Sequence, residues 1–358
     1  MPCTGGITWL NFADTGKCWG DPGALIRKPD AMLNAFYISK IQRVAPFTKK
    51  MEDLGGFVMA DSGGFQAFSL NQHVNPKQIV LNQQQLCSHG IILDKPPYEI
   101  REGSISESFL PEHFENCLSK TVRNVQMMTE GITRSDFVLY GVVHGADPQT
   151  SIRWYETVKK VLPTKYWCMT PKPATPESIT RFFLLAHYLG IKNLHILGVG
   201  SARTMLLLEY LKTEFDDDFE VVTYDSSTMY RDASMRILYE VAKDPDTGDA
   251  TFEGYYVGTR SKKMGKTKDS VVCDCEVCKV TDPALFRHPK TGWKVAELAF
   301  SHNWATWMRY RDEVLKDVDG YFTRTMRESN GVKKVIASYK ARPESILEYQ
   351  HIQQEELF

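Results

Sequence analysis

The sequence predicts an α/β fold: a (β/α)8 TIM barrel followed by a smaller, cysteine-containing subdomain. Short apolar, β-rich runs alternate with helix-length segments as far as about residue 245, which is the pattern of a parallel sheet with crossover helices. Eight such runs can be counted, the number of strands that closes this barrel. Three cysteines and a histidine cluster in the last third of the chain.

The expected strands follow in chain order. They are ITWL (7–10), AFYIS (35–39), GFVMA (56–60), GIILD (90–94), FVLYGVV (137–143), YWCM (166–169), LHILG (194–198) and EVVTY (220–224). The first two are also compatible with an addition outside the barrel. Helical periodicity is expected at 111–130, 176–190 and 202–215. The turn-rich KDPDTGD segment then separates a barrel domain, 1–245, from a second domain, 246–358, with closing C-terminal helices.

The composition is that of an ordinary globular chain. Its 358 residues, 42% hydrophobic and 24% charged, exclude a disordered, collagen-like or coiled-coil protein. No apolar run reaches the roughly 20 residues of a membrane helix, and the N-terminus lacks a signal-peptide pattern. We therefore expect a cytoplasmic protein without a membrane segment. The net charge of −1 means that a polyanionic partner must be bound by a local basic patch.

A C-x-C-x-x-C motif and a histidine 24 residues later form the cysteine cluster. They are Cys273, Cys275, Cys278 and His302. Three thiolates and one imidazole suit tetrahedral Zn²⁺ and leave no position for water, so we expect a structural zinc. His302 would lie in the first turn of a helix over 302–318. His288 is a rival ligand, and unrelated buried thiols are the alternative to a metal site; the other five cysteines are expected to be buried thiols.

Ionisable side chains follow several expected strands. Asp61 comes directly after GFVMA, Asp225 after EVVTY and His144 after FVLYGVV, and Asp94 ends GIILD. In parallel strands these ends share one rim, where active sites of this fold lie. An aspartate after a strand can also be a helix N-cap, but convergence of several groups favours an active site. Paired carboxylates suit displacement at an anomeric carbon, with one as nucleophile and the other as general acid/base.

A basic run precedes the cysteine cluster. Its members are Arg260, Lys262, Lys263, Lys266 and Lys268. Such a run is either a solvated loop or a phosphate-binding segment, and both interpretations stay open. The GVGS segment at 198–201 lacks the third glycine of a dinucleotide fingerprint, so no nicotinamide cofactor is expected.

Together these motifs resemble the tRNA-guanine transglycosylase superfamily. The similar elements, over about residues 55–310, are DSGGFQ (61–66), LHILGVGSARTMLLLEYL (194–211), the strand-end Asp225 and the cysteine and histidine set. The resemblance implies a TIM barrel with a zinc subdomain. It also implies exchange of a guanine in a polynucleotide for a free 7-deazaguanine base, through a covalent enzyme–nucleotide intermediate.

The resemblance also implies roles for single residues. Asp225 would be the nucleophile that attacks C1′, and Asp61 the general acid/base. The residues expected at the base are Asp94, His144, Phe65, Leu197 and Gly198. Among these, Phe65 and Leu197 would form an apolar slot for the flat heterocycle. The basic run would contact the polynucleotide.

Departures from the superfamily favour a DNA substrate. His144 stands where the tRNA enzymes usually have Gln, and Cys168-Met169-Thr170 stands in place of a glycine pair. SSTMYRDAS (226–234) replaces the arginine-rich segment that grips the anticodon loop. The chain therefore most resembles the DpdA-type enzymes, which insert a 7-deazaguanine such as preQ0 into DNA. The alternatives are a tRNA substrate, a retaining glycosidase, and a non-catalytic zinc-dependent nucleic-acid binding protein.

Overall fold

The chain alternates strands and helices. The computed structural model describes residues 3–4, 31–35, 41–53, 55–64, 67, 72–101, 104–226, 228–257, 267–268, 273–275, 278–279 and 292–348. The strands are β1 (Cys3–Thr4), β2 (Ala31–Asn34), β3 (Val58–Asp61), β4 (His89–Ile91), β5 (Tyr98–Arg101), β6 (Ser104–Phe109), β7 (Val138–Val143), β8 (Tyr166–Met169), β9 (Asn193–Ile196), β10 (Val221–Tyr224), β11 (Ile237–Lys243), β12 (Ala250–Val257) and β13 (Thr267–Lys268). The helices are α1 (Ile41–Asp53), α2 (Pro76–Leu86), α3 (Phe114–Glu130), α4 (Pro148–Lys159), α5 (Pro176–Tyr188), α6 (Ala202–Glu214), α7 (Thr228–Ser234), α8 (Gly292–Val314), α9 (Val318–Thr325) and α10 (Ser329–Ala341).

Eight parallel strands form the main sheet. Their order is β1-β2-β3-β4-β7-β8-β9-β10, and every neighbouring pair is parallel. The predicted α/β fold with a parallel sheet is confirmed. A closed barrel is not, because no pairing among the described residues joins β10 to β1. Only two residues of β1 are described, and residues 5–30 lie outside the description.

The central strands of the sheet are buried on both faces, whereas β10 is partly exposed. All four residues of β9 are buried, and so are three of the four in β8. Strands that are covered on both faces form such continuous buried runs. The helices begin just beyond the strands: Asp147 and Thr175 accept hydrogen bonds from the first turns of α4 and α5, and a proline follows each cap. This arrangement gathers the strand ends and helix starts at one edge.

Six of the eight expected strands are confirmed within three residues at each end, as are the three expected barrel helices. Of the strand expected at 35–39, Ala35 lies in a turn and residues 36–39 lie outside the described residues. Just before it, β2 covers Ala31–Asn34, a segment that is buried throughout and pairs with β3. The strand expected at 7–10 lies outside the described residues.

Beyond the sheet, β11 and β12 form an antiparallel hairpin that β13 extends. The boundary expected after residue 245 falls in the turn of this hairpin. α8 begins at Gly292, ten residues before the expected start, so the placement of His302 in the first turn is wrong. The apolar residues of KVAELAF continue the helical period upstream and explain the earlier start.

The C-terminal helices pack on the helices of the sheet. Phe322 of α9 stacks on Tyr210 of α6 with ring centroids 4.0 Å apart. Tyr339 of α10 lies with its hydroxyl 2.6 Å from His187 Nδ1 in α5. Within the part of the chain that is described, no helix combines the length and the apolar character needed to cross a membrane.

Candidate active site and metal centre

Four of the predicted site residues lie at the same edge of the sheet. Asp61 is the last residue of β3, Asp225 directly follows β10, and His144 directly follows β7. Asp94 lies three residues beyond the end of β4. Because all these strands are parallel, their carboxyl ends meet at one edge, as the sequence predicted.

Asp61 ends β3, and the turn that follows helps to hold its carboxylate. The backbone N–H of Gly63 and the side-chain amide of Asn34 donate to Asp61 Oδ2, at 3.2 and 3.4 Å. Gly63 has a φ of +70°, which a glycine adopts without strain. Burial, followed by the charges of Asp94 and Asp225, raises the pKa of Asp61 to about 7. A carboxyl group with this pKa can both give and take a proton near neutral pH.

The charge of Asp225 acts on Asp61, as expected of a curled sheet. β3 and β10 are five positions apart in the strand order. In a flat sheet their ends would be roughly 24 Å apart, because neighbouring strands lie about 4.8 Å apart. After burial and Asp94, the charge of Asp225 also raises the pKa of Asp61, and charges act on a pKa mainly over a few ångströms. The sheet therefore curves as a barrel does and brings the two carboxylates towards each other.

Asp225 is 5% exposed, and its carboxylate lies beside the backbone of Gly198 and the side chain of His195. The backbone N–H of Gly198 donates to Asp225 Oδ1 at 2.8 Å. Gly198 has a φ of +71°, and this conformation turns the chain after β9. His195 Nε2 lies 3.4 Å from the same oxygen. The Gly198 hydrogen bond holds one oxygen of the carboxylate in a defined position, and His195 Nε2 lies beside this oxygen without a hydrogen bond to it.

Sequence reasoning missed His195. Its side chain is completely buried, and its Nδ1 lies 2.8 Å from the hydroxyl of Thr223. When Thr223 donates this hydrogen bond, the ring proton lies on Nε2 and faces Asp225. The sequence does offer one signal for it: His195 is the single ionisable residue inside the otherwise apolar LHILG strand.

Asp94 and His144 form a close pair. His144 Nε2 lies 2.6 Å from Asp94 Oδ2, and His144 is 2% exposed. The rings of Tyr98 and Trp154 contact the imidazole edge-on, with centroids 5.9 and 5.0 Å away. Tyr98 is itself fixed by a 3.0 Å hydrogen bond from its hydroxyl to the carbonyl of Gly145. The pair therefore presents a carboxylate whose orientation is set by buried neighbours.

A second missed residue is Cys168 in β8, which lies among the carboxylates. The thiol is fully buried and free, as expected of the scattered cysteines. Burial, then the charges of Asp94, Asp61 and Asp225, raises its pKa well above the ordinary value. The thiol is therefore protonated and uncharged at neutral pH, so it adds no further negative charge to the site.

The rest of the predicted base-binding set is described in part. Leu197 is half-buried against the core. Its N–H donates to the carbonyl of Met169 at 2.9 Å and so extends the pairing of β9 with β8 by one residue. Gly198 follows it at the position that binds Asp225. Phe65 lies outside the described residues, so the expected slot between Phe65 and Leu197 stays a prediction.

The predicted metal ligands come together. The ligand atoms of Cys273, Cys275, Cys278 and His302 all lie within 4.8 Å of one another. His302 Nδ1 is 3.4 Å from Cys275 Sγ and 3.3 Å from Cys278 Sγ. Sulfur and nitrogen ligands of tetrahedral zinc are separated by roughly 3.6 Å, so the donor set fits this ion.

The surroundings of the cluster also suit a metal. His302 Nε2 lies 2.8 Å from the carbonyl of Tyr239 in β11, which keeps the ring proton on Nε2 and frees Nδ1 for the ion. The backbone N–H groups of Cys275 and Cys278 donate to the sulfurs of Cys273 and Cys275, at 3.3 and 3.4 Å. Such donors stabilise thiolates. These residues could hold a zinc ion with four protein ligands.

Helix α8 connects the cluster to the strand-end site. Asn303, directly after His302, is completely buried. Its Oδ1 accepts a 3.0 Å hydrogen bond from the N–H of Tyr239, and its Nδ2 donates to the carbonyl of Ile237 at 2.9 Å. Nδ2 also contacts the carbonyl of Met229 in α7 at 3.5 Å. α7 begins three residues after Asp225, so the helix that carries His302 contacts the segment that follows the expected nucleophile.

The predicted nucleic-acid-binding run cannot be placed. Arg260, Lys262, Lys263 and Lys266 lie outside the described residues. The backbone of Lys268 belongs to β13, but its side chain is not described. The role of this run stays a prediction from the sequence.

Comparison with known proteins gives no family. No protein-family model matches the chain, and no curated protein matches it. Among solved structures, one from a study of two fungal β-1,4-galactanases is similar, with a TM-score of 0.39 and 8% identity. The match covers 65% of this chain and 91% of the galactanase chain. A similarity this weak carries no argument about function.

Proposed function

We propose that this protein is a transglycosylase that replaces guanine in DNA by a 7-deazaguanine, such as preQ0, through a covalent aspartyl–nucleotide intermediate. The observation that carries the proposal is the pairing of two unlike carboxylates at one edge of the sheet. Asp225 is oriented by an N–H donor at 2.8 Å. Asp61 is half-buried, and its pKa is raised to about 7. One group suits attack and the other suits proton transfer.

The reaction has two displacements. In the first, Asp225 attacks C1′ of the nucleotide, the glycosidic bond breaks, and Asp61 protonates the departing guanine. In the second, Asp61 takes a proton from the incoming base, whose nitrogen attacks C1′ and releases Asp225. Each displacement forms one bond to C1′ and breaks one, and the proton returns to Asp61. No redox cofactor is needed.

The base must reach this edge of the sheet without its neighbours in the stack. C1′ of a stacked nucleotide is inaccessible to a side chain in a barrel mouth, so the guanine must be flipped out or lie in a single strand. Asp94 then accepts hydrogen bonds from the N–H groups of the base, with its orientation supported by His144 at 2.6 Å. Recognition by a fixed carboxylate favours bases that carry N–H donors at this edge.

The zinc ion, when bound, supplies structural stability rather than chemistry, because four protein ligands leave no position for a substrate. The residues of this chain make the contacts between the cysteine cluster and the edge of the sheet. His302 and Asn303 bind the β11 and α7 backbones and so hold the C-terminal region against the barrel edge. This support keeps the segment after Asp225 in place during both displacements.

DNA is favoured over tRNA as the polymer because the segment that follows Asp225 lacks the arginine-rich character of the tRNA enzymes. This segment forms the short helix α7, TMYRDAS, with a single arginine. A tRNA substrate is the alternative. Both polymers contain the guanine nucleotide on which the proposed displacement acts.

The test is incubation of the purified protein with labelled guanine or preQ0 and either DNA or unmodified tRNA. We expect label in DNA and a covalent protein–DNA adduct that survives a denaturing gel. Asp225→Asn should abolish both. Asp53→Asn is the matched control, because Asp53 ends α1 at the opposite edge of the sheet and is exposed. An adduct formed by Asp225→Asn protein would overturn the assignment, and label found only in tRNA would select the alternative polymer.

A further inference from the structure

A groove of mixed polar and apolar lining lies beside Asp94, outside the residues assigned to catalysis, base binding or metal binding. It has a volume of about 420 Å³. The lining residues are Gln72, His73, Val74, Leu93, Lys95, Lys120 and Asn124. We propose that this groove binds the phosphodiester backbone of the substrate polynucleotide next to the target nucleotide. The inference rests on the proposed function for the nature of the polymer.

The charge of the groove suits a polyanion. Its lining combines two lysines, a histidine and two amides, and none of these described lining residues is acidic. Lys120, Gln72 and His73 are exposed, so they are available to a ligand from solvent. Lysines and amides are common donors to phosphate oxygens, and phosphate contacts supply most of the affinity of polynucleotide binding.

The groove is built on a fixed loop. The N–H of Lys95 donates to Thr121 Oγ1 at 2.9 Å, and Asn124 Nδ2 donates to the carbonyl of Leu93 at 2.9 Å. Both contacts attach the loop after β4 to α3, the helix that also carries Lys120. The backbone segments that carry the two lysines are therefore held near each other. Burial lowers the pKa of Lys95, and the charge of Lys120 does so too, whereas Cys117 and Asp94 act in the opposite direction. A bound anion would offset the repulsion between the two lysines.

The position of the groove matches the path of a strand. Lys95 is the chain neighbour of Asp94, so their Cα atoms are about 3.8 Å apart. A nucleotide whose base contacts Asp94 has its flanking phosphates only a few bonds from that base. A strand that leaves the site past Lys95 would then meet Lys120 and the segment before α2. The groove is also separate in sequence from the basic run at 260–268, which could contact a different part of the polymer.

The test measures binding rather than turnover, in an Asp225→Asn background. Lys95→Gln, Lys120→Gln and the double variant are titrated against a guanine-containing single-stranded DNA and an unmodified tRNA, between 50 and 200 mM salt. For DNA, the slope of log K against log salt should fall by about 0.7 for each lysine removed. The dissociation constant should rise several-fold. Lys160→Gln is the matched control, because Lys160 is exposed at the C-terminus of α4, at the opposite edge.

Unchanged slopes in both polymers, with the variants folded by circular dichroism, would overturn the groove proposal. Loss of slope with DNA alone or with tRNA alone would support it and identify the polymer. The proposed function is decided separately by the adduct assay with unsubstituted protein. Absence of an adduct together with a lysine-dependent slope would overturn the enzymatic proposal and leave the groove as a polynucleotide site.

Discussion

His195 and Asp225 face each other across β9 and β10, with 3.4 Å between His195 Nε2 and Asp225 Oδ1. The same oxygen receives the N–H of Gly198 at 2.8 Å. Both groups come from one short segment, so the position of the proposed nucleophile depends on the local conformation at the end of β9. We infer that His195 is a positioning residue, since it would act on the substrate only through Asp225.

The first prediction concerns this imidazole. His195→Leu should lower the rate of adduct formation by about tenfold or more, because a donor next to the reacting carboxylate is lost. His195→Gln should restore part of the rate, because its amide can replace Nε2–H. The KM for polynucleotide should stay near that of the unsubstituted protein. Equal rate losses in both variants, in parallel with equal losses of thermal stability, would indicate a purely structural role.

The second prediction concerns Asp61 and pH. Its pKa in the folded protein, about 7, lies above the ordinary value of 3.8. The folded protein therefore retains a proton that the unfolded chain releases between about pH 4 and pH 7, and the free energy of unfolding falls as pH rises through this window. Asp61→Asn removes the titrating carboxyl group, and with it this loss of stability at high pH. It should raise the free energy of unfolding at pH 8 by roughly 1 to 3 kcal/mol, and by less at pH 5.

Thermal or urea unfolding at pH 5 and pH 8 measures this difference. Asp53→Asn serves as the control because its carboxylate is exposed and pairs with Lys49. An Asp61→Asn effect that is equal at the two pH values would contradict the raised pKa. The same substitution should abolish base exchange, because the proton of the leaving base has no donor.

The third prediction concerns the metal centre. The purified protein should contain one zinc per chain, and Cys275→Ser should contain none. Removal of the ion by a strong chelator should lower the melting temperature by about 5 °C or more, because the metal links the cysteine loop to α8. Cys117→Ser, a buried thiol of α3 outside the cluster, should keep its zinc. Elemental analysis and calorimetry measure both effects, and full zinc content in Cys275→Ser would contradict the ligand assignment.

The fourth prediction concerns the pair of Asp94 and His144. His144→Leu removes the partner 2.6 Å from Asp94 Oδ2 and should raise the KM for the free base by about tenfold. His144→Gln can still donate to Asp94 and should change KM much less. Steady-state incorporation of labelled base gives both constants. A fall in kcat without a change in KM would place His144 in the chemical step instead.

The strand-end residues could be predicted because their positions follow from chain order. Once parallel strands are inferred, the residues that follow them must share an edge, and this rule places Asp61, Asp94, His144 and Asp225 together. The rule gives no information about side chains within a strand. His195 and Cys168 lie inside strands that are buried on both faces, where alternation does not reveal which side chain faces the site.

The differences between expected and observed strand and helix boundaries also have physical causes. No strand was expected at Ala31–Asn34, because burial and pairing with β3, rather than aromatic or β-branched residues, favour a strand there. The start of α8 was expected at His302, where the helical spacing of apolar residues first becomes evident in the sequence. The period continues upstream of His302, so the boundary could not be fixed from the polar HNW segment alone.

Two adjacent residues of α8 make different contacts. His302 belongs to the cysteine cluster, and Asn303 bonds the backbone of α7, which begins three residues after the expected nucleophile. A molecule whose cluster thiols have been oxidised would therefore lose the support of the proposed catalytic edge, while the side chains proposed to react there stayed chemically intact. We expect ageing preparations to become mixtures of fully competent and inert molecules. Activity per mole of retained zinc would then stay constant while activity per mole of protein declines.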